Sequence, residues 1–290
     1  MSCREGHDHQ AAEAALERIV RAALEEDIGA GDITTRAVIE GDPEARGRIV
    51  FREAGVLAGT EAMMKVFQIV DVDIEVKLLS KDGDECPSDT VIAEVVGPAA
   101  GMLSAERTAL NFLQHLSGVA TFTRRFVEAV AGTGAEILDT RKTMPGMRLL
   151  EKQAVAAGGG RNHRMGLYDE ILIKDNHIAL AGGAHGGVGE AVRRAREKAA
   201  GKRIEVEVAT LEEVGAAVRA GADIIMLDNM GLELLKKAIE VIGGKAKVEV
   251  SGGVTLGNVR EIAELGVDYI SVGALTHSAP ALDIAMEMEG

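Results

Sequence analysis

Aromatic residues are almost missing from this chain: among 290 residues there is no Trp, with two Tyr and five Phe. The core must therefore be built from Ala, Val, Ile, Leu and Met, and stacking platforms for nucleic acid are scarce. Positive charge is also short. Lys and Arg number 32 against 46 Asp and Glu, a net charge of −14, which argues against DNA, RNA or an anionic membrane surface as partner. Cysteine is limited to Cys3 and Cys86, so there is no disulfide framework and no metal-ligand spacing. No N-terminal apolar run resembles a signal peptide, and no segment approaches a membrane span. The expectation is a soluble, cytoplasmic protein. The segment from Cys3 to His9 holds two histidines that could bind a metal loosely, but it reads first as a frayed terminus.

What is present falls into two regions. In the first, residues 11–26 place Ala15, Leu16, Ile19, Val20, Ala23 and Leu24 on one face, an amphipathic helix. A Gly29-Ala30-Gly31-Asp32 turn follows, then strand-like runs at 47–52, 73–79 and 90–96 and a helix from Glu61 to Val70. Strands and helices in that irregular order indicate an α+β domain. A long helical stretch runs from Ser104, read as its N-cap, to about Ala131, with a break expected near Ser117-Gly118.

From residue 134 the pattern turns regular. Apolar, β-branched runs recur at 136–139, 171–174, 204–208, 223–228, 247–251 and 268–273, the later ones separated by helical segments at 211–220, 232–242 and 257–265. Glu207, Asp228, Ser251 and Gly273 stand 21, 23 and 22 residues apart, the repeat of a βα unit in a parallel barrel. Gly221-Ala222-Asp223 and Gly266-Val267-Asp268 each close a helix and lead into the next strand. An open dinucleotide-binding sheet is disfavoured because no G-x-G-x-x-G follows a strand and each strand ends on something polar or on glycine. The fold class read here is α/β: an N-terminal α+β domain, residues 1–116 with the tail 277–290 packing back on it, and a parallel α/β barrel, residues 117–276.

In a parallel barrel the strand ends converge on one face. Those ends are Asp139-Thr140-Arg141-Lys142, Lys174-Asp175-Asn176-His177, Glu207, Asp228-Asn229, Ser251-Gly252-Gly253 and Gly273-Ala274. Between Asp139 and His177 seven Lys/Arg face five Asp/Glu, a basic island on an acidic chain. Such a field concentrates a small anion without attracting a long polyanion, and arginine's planar fork suits carboxylate or phosphate. Ser251-Gly252-Gly253 directly after a strand fits a phosphate loop, aided by a helix starting near Gly257, with Gly273-Ala274 as its second half. Glu207 and Asp228 suit sugar hydroxyls, or a Mg²⁺ reached through water, or simple pairing with Lys174 or Lys142. Lys174, in an apolar strand, suits either a Schiff base or a phosphate. The run Gly158-Gly159-Gly160-Arg161-Asn162-His163-Arg164 reads as a flexible basic loop in which His163 and Arg164 bind an anion.

Several stretches together resemble the quinolinate phosphoribosyltransferase family. They are Glu26-Asp27-Ile28-Gly29-Ala30-Gly31-Asp32-Ile33-Thr34-Thr35, Ser104-Ala105-Glu106-Arg107-Thr108-Ala109-Leu110-Asn111, Asp139-Thr140-Arg141-Lys142-Thr143, His163-Arg164, Leu172-Ile173-Lys174-Asp175-Asn176-His177 and Ser251-Gly252-Gly253. The resemblance spans about residues 15–285, with 182–189 as a variable loop. It implies an N-terminal sandwich joined to an incomplete, seven-stranded α/β barrel. It implies transfer of phosphoribose from phosphoribosyl pyrophosphate to quinolinate with loss of CO₂, a step of NAD biosynthesis, using Mg²⁺. By that resemblance Arg141, His163 and Arg164, with Lys142 nearby, hold quinolinate's two carboxylates, and Thr140 is a further substrate-binding residue. Lys142, Lys174, Glu207 and Asp228 surround the ribose and pyrophosphate as the catalytic set, with no side chain assigned as a direct metal ligand. Ser251, Gly252, Gly253, Gly273 and Ala274 take the 5′-phosphate. Arg107 would reach a neighbouring subunit's site in a homodimer, alone or assembled into a hexamer. The competing readings are a relative acting on nicotinate or another anionic base, a Schiff-base aldolase built on Lys174, and an anion-binding protein without turnover.

Overall fold

The structure, a computed structural model, describes residues 2–41, 43–182, 187–199 and 201–289, with side chains for all of these except 2–9 and 182. Most of the glycine-rich stretch 182–189, and the side chains of Cys3–His9, therefore lie outside the described residues. In chain order the elements are α1 (Ser2–Ile28), α2 (Ile33–Val38), β1 (Glu44–Phe51), β2 (Gly55–Val56), α3 (Thr60–Val70), β3 (Glu75–Leu78), β4 (Glu85–Cys86), β5 (Val91–Pro98) and α4 (Ala99–Ala129). Then come β6 (Glu136–Leu138), α5 (Arg148–Ala157), β7 (Ile171–Ile173), α6 (Asp175–Gly182), α7 (Val188–Lys198), β8 (Ile204–Val208), α8 (Leu211–Ala220) and β9 (Ile224–Asp228). The chain finishes with α9 (Leu232–Ile242), β10 (Lys247–Ser251), α10 (Val259–Ala263), β11 (Tyr269–Ser271), α11 (Ala274–His277) and β12 (Ile284–Glu289). No described helix is long and apolar enough to cross a membrane.

Two compact units result. The first comprises Met1–Arg124, Thr143–Gly159 and Leu275–Gly290. Its sheet is antiparallel, in the order β12-β1-β5-β3, so the last strand of the chain pairs with the first, from Arg46 opposite Glu289 to Phe51 opposite Ile284. On α1 the buried positions are Leu16, Val20 and Leu24, the centre of the predicted apolar face. Each contributes roughly 2 kcal/mol by leaving water. Asp32 caps α2: its carboxylate accepts from the amides of Thr34 and Thr35 and from the Thr35 hydroxyl, and the Thr35 hydroxyl and amide hold it below the usual carboxylate range.

Two expectations fail in this unit. Ser104 lies inside α4, where its hydroxyl faces Asp32, and the helix instead starts at Ala99. Nor does α4 break at Ser117-Gly118. The Ser117 hydroxyl accepts from the Ala58 amide and donates to the Ala58 carbonyl, while Gly118 lets the Pro280 carbonyl pack against the helix. A Cβ on Gly118 would stand 2.1 Å from that oxygen, and a backbone atom cannot swing aside. Gly118→Ala should therefore cost about 2 kcal/mol of stability, measured as a lower denaturation midpoint at unchanged slope.

The second unit, Arg125–Lys142 with Gly160–Ala274, is a partial α/β barrel. Its six strands are all parallel, in the order β6-β11-β10-β9-β8-β7. A seventh strand is reduced to one residue: Arg161 bridges Leu138, giving its amide to Ile137 and taking that of Asp139. Among the described residues, six full strands and this one-residue bridge form the incomplete barrel that the resemblance implied. One device repeats between strands. In both Gly-x-Asp turns the aspartate accepts an amide at the start of a neighbouring strand, Asp223 from Ile204 and Asp268 from Val248. Each also pairs with a cation, Arg196 and Lys247 respectively. These bonds fix the register, and with it which side chains face the lumen.

Candidate active site

The strand ends assemble in ladder order. Ser251 stands opposite both Asp228 and Ser271, and Leu138 opposite Ser271, so the segments after β6, β9, β10 and β11 start from one level. Lys174 follows Ile173, which pairs with Val206, and this brings Lys174 level with Glu207. Their side chains form an ion pair, Nζ to Oε2 at 2.8 Å, with the lysine half-exposed and the acid largely covered. A lysine in that state is not the enclosed amine that Schiff-base chemistry needs. The Lys174 amide also donates to Nδ1 of His177.

The cationic side is built from two segments tied together at their roots. Asp139 is fully buried, and its Oδ1 accepts the His163 amide at 2.9 Å. The Lys142 amide closes a turn onto the Thr140 hydroxyl. Arg141 is half-buried and Lys142 exposed. Arg164 is buried at 9% exposure; burial, then the charge of Arg141, pulls its guanidinium below the usual arginine value. A buried arginine thus stands within repelling reach of a half-buried one, an arrangement that a ligand carrying two adjacent negative charges relieves. The following turn is rigid, since Asp169 accepts the amides of Met165 and Gly166.

The start of the loop that reads as flexible in the sequence is packed. Gly158 caps α5 and is buried where a Cβ would meet the Ala120 carbonyl at 2.4 Å. Gly158 at the head of that run serves packing, and the His163 and Arg164 amides are each hydrogen-bonded, to Asp139 and to the His163 ring.

His163 is directed otherwise than expected of a surface anion ligand. Its Nδ1 accepts the Arg164 amide at 2.7 Å, and its Nε2 lies 3.0 Å from Glu205 and 3.7 Å from Glu249. Burial lowers its basicity, but the hydrogen bond and charge of Glu205, with Glu249 and Glu170, outweigh that and raise it. Glu205 and Glu249 are fully enclosed, and Ser271 donates to Glu249 at 2.6 Å. A lumen cavity of about 190 Å³ reaches them from beside Arg161, Arg203 and Tyr269. Sequence reasoning missed Glu205, Glu249 and Ser271, and gave Asp139 no role beyond its place at a strand end.

Burial and the neighbouring Glu205 push Glu249 up to about 8. In the unfolded chain it loses its proton near the ordinary value of about 4.3. The fold therefore holds an extra proton between those limits, and its stability falls as pH rises through the window. Glu249→Gln has no such proton to lose. The difference in melting temperature, variant minus wild type, should grow from pH 5 to pH 8.

The glycine loop after β10 has the backbone of an anion cradle. Gly252 and Gly253 have φ of +88° and +63°, a region side chains rarely adopt. A Cβ on Gly252 would fall 2.3 Å from Oδ1 of Asn229, whose amide donates to the Ser251 carbonyl and whose side chain donates to Asp228. The helix expected from Gly257 is shorter: α10 starts at Val259 and has five residues, so amides of the loop, not a helix dipole, must carry the cradle. Gly252→Ala should displace Asn229 and Asp228 and raise the KM of the phosphate-bearing substrate about tenfold or more, with the other substrate's KM little changed, in steady-state kinetics. Gly273-Ala274 follow β11 at the same barrel end. Arg107 belongs to the first unit, exposed on α4.

Known proteins match over nearly the whole chain. The model described as the C-terminal domain of quinolinate phosphoribosyl transferase matches residues 119–287, and that of the N-terminal domain matches 32–117. A probable nicotinate-nucleotide pyrophosphorylase (carboxylating) of Bacillus subtilis (strain 168) is 44% identical over 274 residues, 94% of this chain and 93% of the relative. A chloroplastic nicotinate-nucleotide pyrophosphorylase (carboxylating) of Arabidopsis thaliana is 42% identical over 94% of this chain and 83% of its own length. The solved nicotinate-nucleotide pyrophosphorylase from Francisella tularensis superposes with a TM-score of 0.89 at 39% identity, covering 95% of this chain and 96% of that one.

Proposed function

The chain belongs to the quinolinate phosphoribosyltransferase family, and from that premise we infer how its side chains divide the family's reaction. It is a pentosyltransferase of NAD biosynthesis: phosphoribosyl pyrophosphate and quinolinate give nicotinate mononucleotide, pyrophosphate and CO₂. The observation that carries the assignment of roles is the buried Arg164, whose guanidinium is depressed by burial first and then by the charge of Arg141. Two neighbouring guanidiniums, one buried and one half-buried, suit the adjacent carboxylates of a pyridine dicarboxylate better than the single carboxylate of nicotinate. Lys142, exposed beside them, faces the next anion along.

The sugar end follows from the pair Lys174–Glu207 and from Asp228. As the C1′–O bond to pyrophosphate breaks, positive charge develops on the ribose ring and negative charge on the leaving group. Glu207 and Asp228 favour the first, and Lys174 with Lys142 the second. Quinolinate N1 then forms the N1–C1′ bond. The C2–carboxylate bond breaks next, its electrons held at C2 by the adjacent pyridinium nitrogen, and a proton replaces CO₂. The 5′-phosphate lies on Ser251, Gly252, Gly253, Gly273 and Ala274.

Mg²⁺ fits this donor set in one manner only. Glu207 is committed to Lys174 and Asp228 to Asn229, and neither belongs to a cluster of three metal-capable groups among the described residues. Glu207 and Asp228 would hold the ion through water. When bound it neutralises charge on the leaving group.

The active form is a dimer in which Arg107 crosses to the neighbour's site; its exposed position on α4 and the Ser104–Asn111 motif support that reading. The cytoplasm is its place of work. The experiment that tests the function supplies carboxyl-labelled quinolinate, phosphoribosyl pyrophosphate and Mg²⁺, with nicotinate in parallel. Labelled CO₂ equal to nicotinate mononucleotide is expected. Ribosylation of nicotinate at a comparable rate, or none of quinolinate, would overturn it.

A further inference from the structure

Two buried carboxyls below the arginines take no part in the reaction just described. Glu205 and Glu249 stand mid-strand on β8 and β10, fully enclosed. Taken as two carboxylates, both oxygens of Glu205 and Oε2 of Glu249 have no hydrogen-bond partner. Their ligand atoms and that of His163 all lie within 4.8 Å of one another. Two naked buried anions at that spacing are not tolerated. Either a cation or a proton must sit among them.

The imidazole decides between the two. The Arg164 amide proton points at Nδ1 from 2.7 Å, so the ring's own proton is on Nε2. A divalent cation would need the lone pair of that same nitrogen, with Nδ1 protonated and donating outward. Nε2 instead lies 3.0 Å from Oε2 of Glu205. On the far side the Ser271 hydroxyl occupies Oε1 of Glu249. One hydrogen on Oε2 of Glu249, given to Oε1 of Glu205, satisfies two of the three orphaned oxygens, and the third, Oε2 of Glu205, faces Nε2 of His163. The chain Ser271–Glu249–Glu205–His163 then carries a single negative charge, on Glu205. That charge also lies close enough to Arg164 to favour its guanidinium against burial and Arg141.

We propose that Glu205 is a positioning residue for quinolinate: as the one anion of this buried chain it orients His163, whose Nδ1 fixes the Arg164 backbone, and its charge lets Arg141 and Arg164 stand side by side. The proposal rests on the reading of Arg164 as a quinolinate ligand. Glu249 is the proton-bearing partner and Ser271 sets its orientation.

The roles predict unequal effects of equal substitutions. Glu205→Gln removes the charge and sets an amide N–H₂ against the Nε2–H; quinolinate KM and calorimetric Kd should rise about thirtyfold or more, with phosphoribosyl pyrophosphate KM within threefold. Glu249→Gln keeps a donor toward Glu205 and an acceptor for Ser271, and both KM values should stay within threefold. In wild-type enzyme, ¹⁵N spectra of His163 should show the neutral ring with hydrogen on Nε2, and metal analysis of protein freed of Mg²⁺ should find no stoichiometric ion. Equal effects of the two Gln variants, a Glu205→Gln quinolinate KM within threefold, parallel loss for both substrates, hydrogen on Nδ1, or a retained metal would each overturn the proposal. Should Glu205→Gln fail to fold, Glu249→Gln and the wild-type ring spectrum still decide it. If Arg164→Ala leaves quinolinate binding intact, the underlying reading fails; if only Glu205→Gln is silent, the positioning role alone fails.

Discussion

Arg164→Ala lowers kcat/KM for quinolinate about a thousandfold and leaves KM for phosphoribosyl pyrophosphate within a few-fold. The magnitude comes from what the side chain gives up. At 9% exposure its guanidinium has shed most of its water, and truncating one member of a buried charge pair costs 2–5 kcal/mol, most of it the stranded charge left behind. Here the stranded charge is a quinolinate carboxylate. The loss concentrates in quinolinate binding because the arginine faces that ligand in ground state and transition state alike. Arg164→Lys keeps the charge but loses the planar fork, and a loss of ten- to a hundredfold is expected. Stability responds less. The variant loses a long 3.4 Å contact to the Glu170 carbonyl but is freed of repulsion from Arg141, so melting should shift by a few degrees at most. Steady-state kinetics with each substrate varied settles the matter: a quinolinate KM and kcat/KM within threefold of wild type removes Arg164 from the site.

The contrast between Arg164 and Glu205 explains what the sequence could disclose. The barrel repeat was legible because Glu207, Asp228, Ser251 and Gly273 close their strands at nearly even spacing, and position at a strand end alone puts a polar group in the mouth. The arginines were legible because a basic island on a chain of net charge −14 has few purposes beyond a small anion. Glu205 and Glu249 left a weaker trace. A strand covered on both faces should read as continuous Val, Ile and Leu, so IEVEV and KVEVS carry an acid too many at mid-strand. That excess is a signal of an interior polar network, passed over because a period of two also describes a half-solvated strand. The direction of His163 could not have been read, since it depends on a ring proton fixed by its own successor's amide. Ser117-Gly118 misled for a related reason. Glycine's helix-breaking tendency is an intrinsic preference of under about 1 kcal/mol, and it yields when a distant carbonyl, that of Pro280, needs the space.

The second large effect separates chemistry from binding. Lys174→Ala should lower kcat by two to three orders of magnitude with quinolinate KM nearly unchanged, the reverse of the Arg164 signature. Lys174 meets charge that grows only as pyrophosphate departs, and removing one such donor typically costs about 3–4 kcal/mol of the barrel-mouth barrier lowering. Its ion pair with Glu207 adds little to the fold, because the lysine side chain is 46% exposed and exposed pairs contribute at most about 1 kcal/mol. Melting temperature should hardly move. Glu207→Gln should cost less, roughly ten- to a hundredfold in kcat, since it acts on the ribose through distance rather than contact with the leaving group. The double variant tests whether the two act as a unit. In the resting enzyme Glu207 aims Lys174 at 2.8 Å, so if aiming is its main service, Glu207→Gln should cost nothing further once Lys174 is gone. Full additivity would instead mean that the acid stabilises the sugar cation in its own right, and a Lys174→Ala enzyme with normal turnover would mean that neither charge touches the departing pyrophosphate.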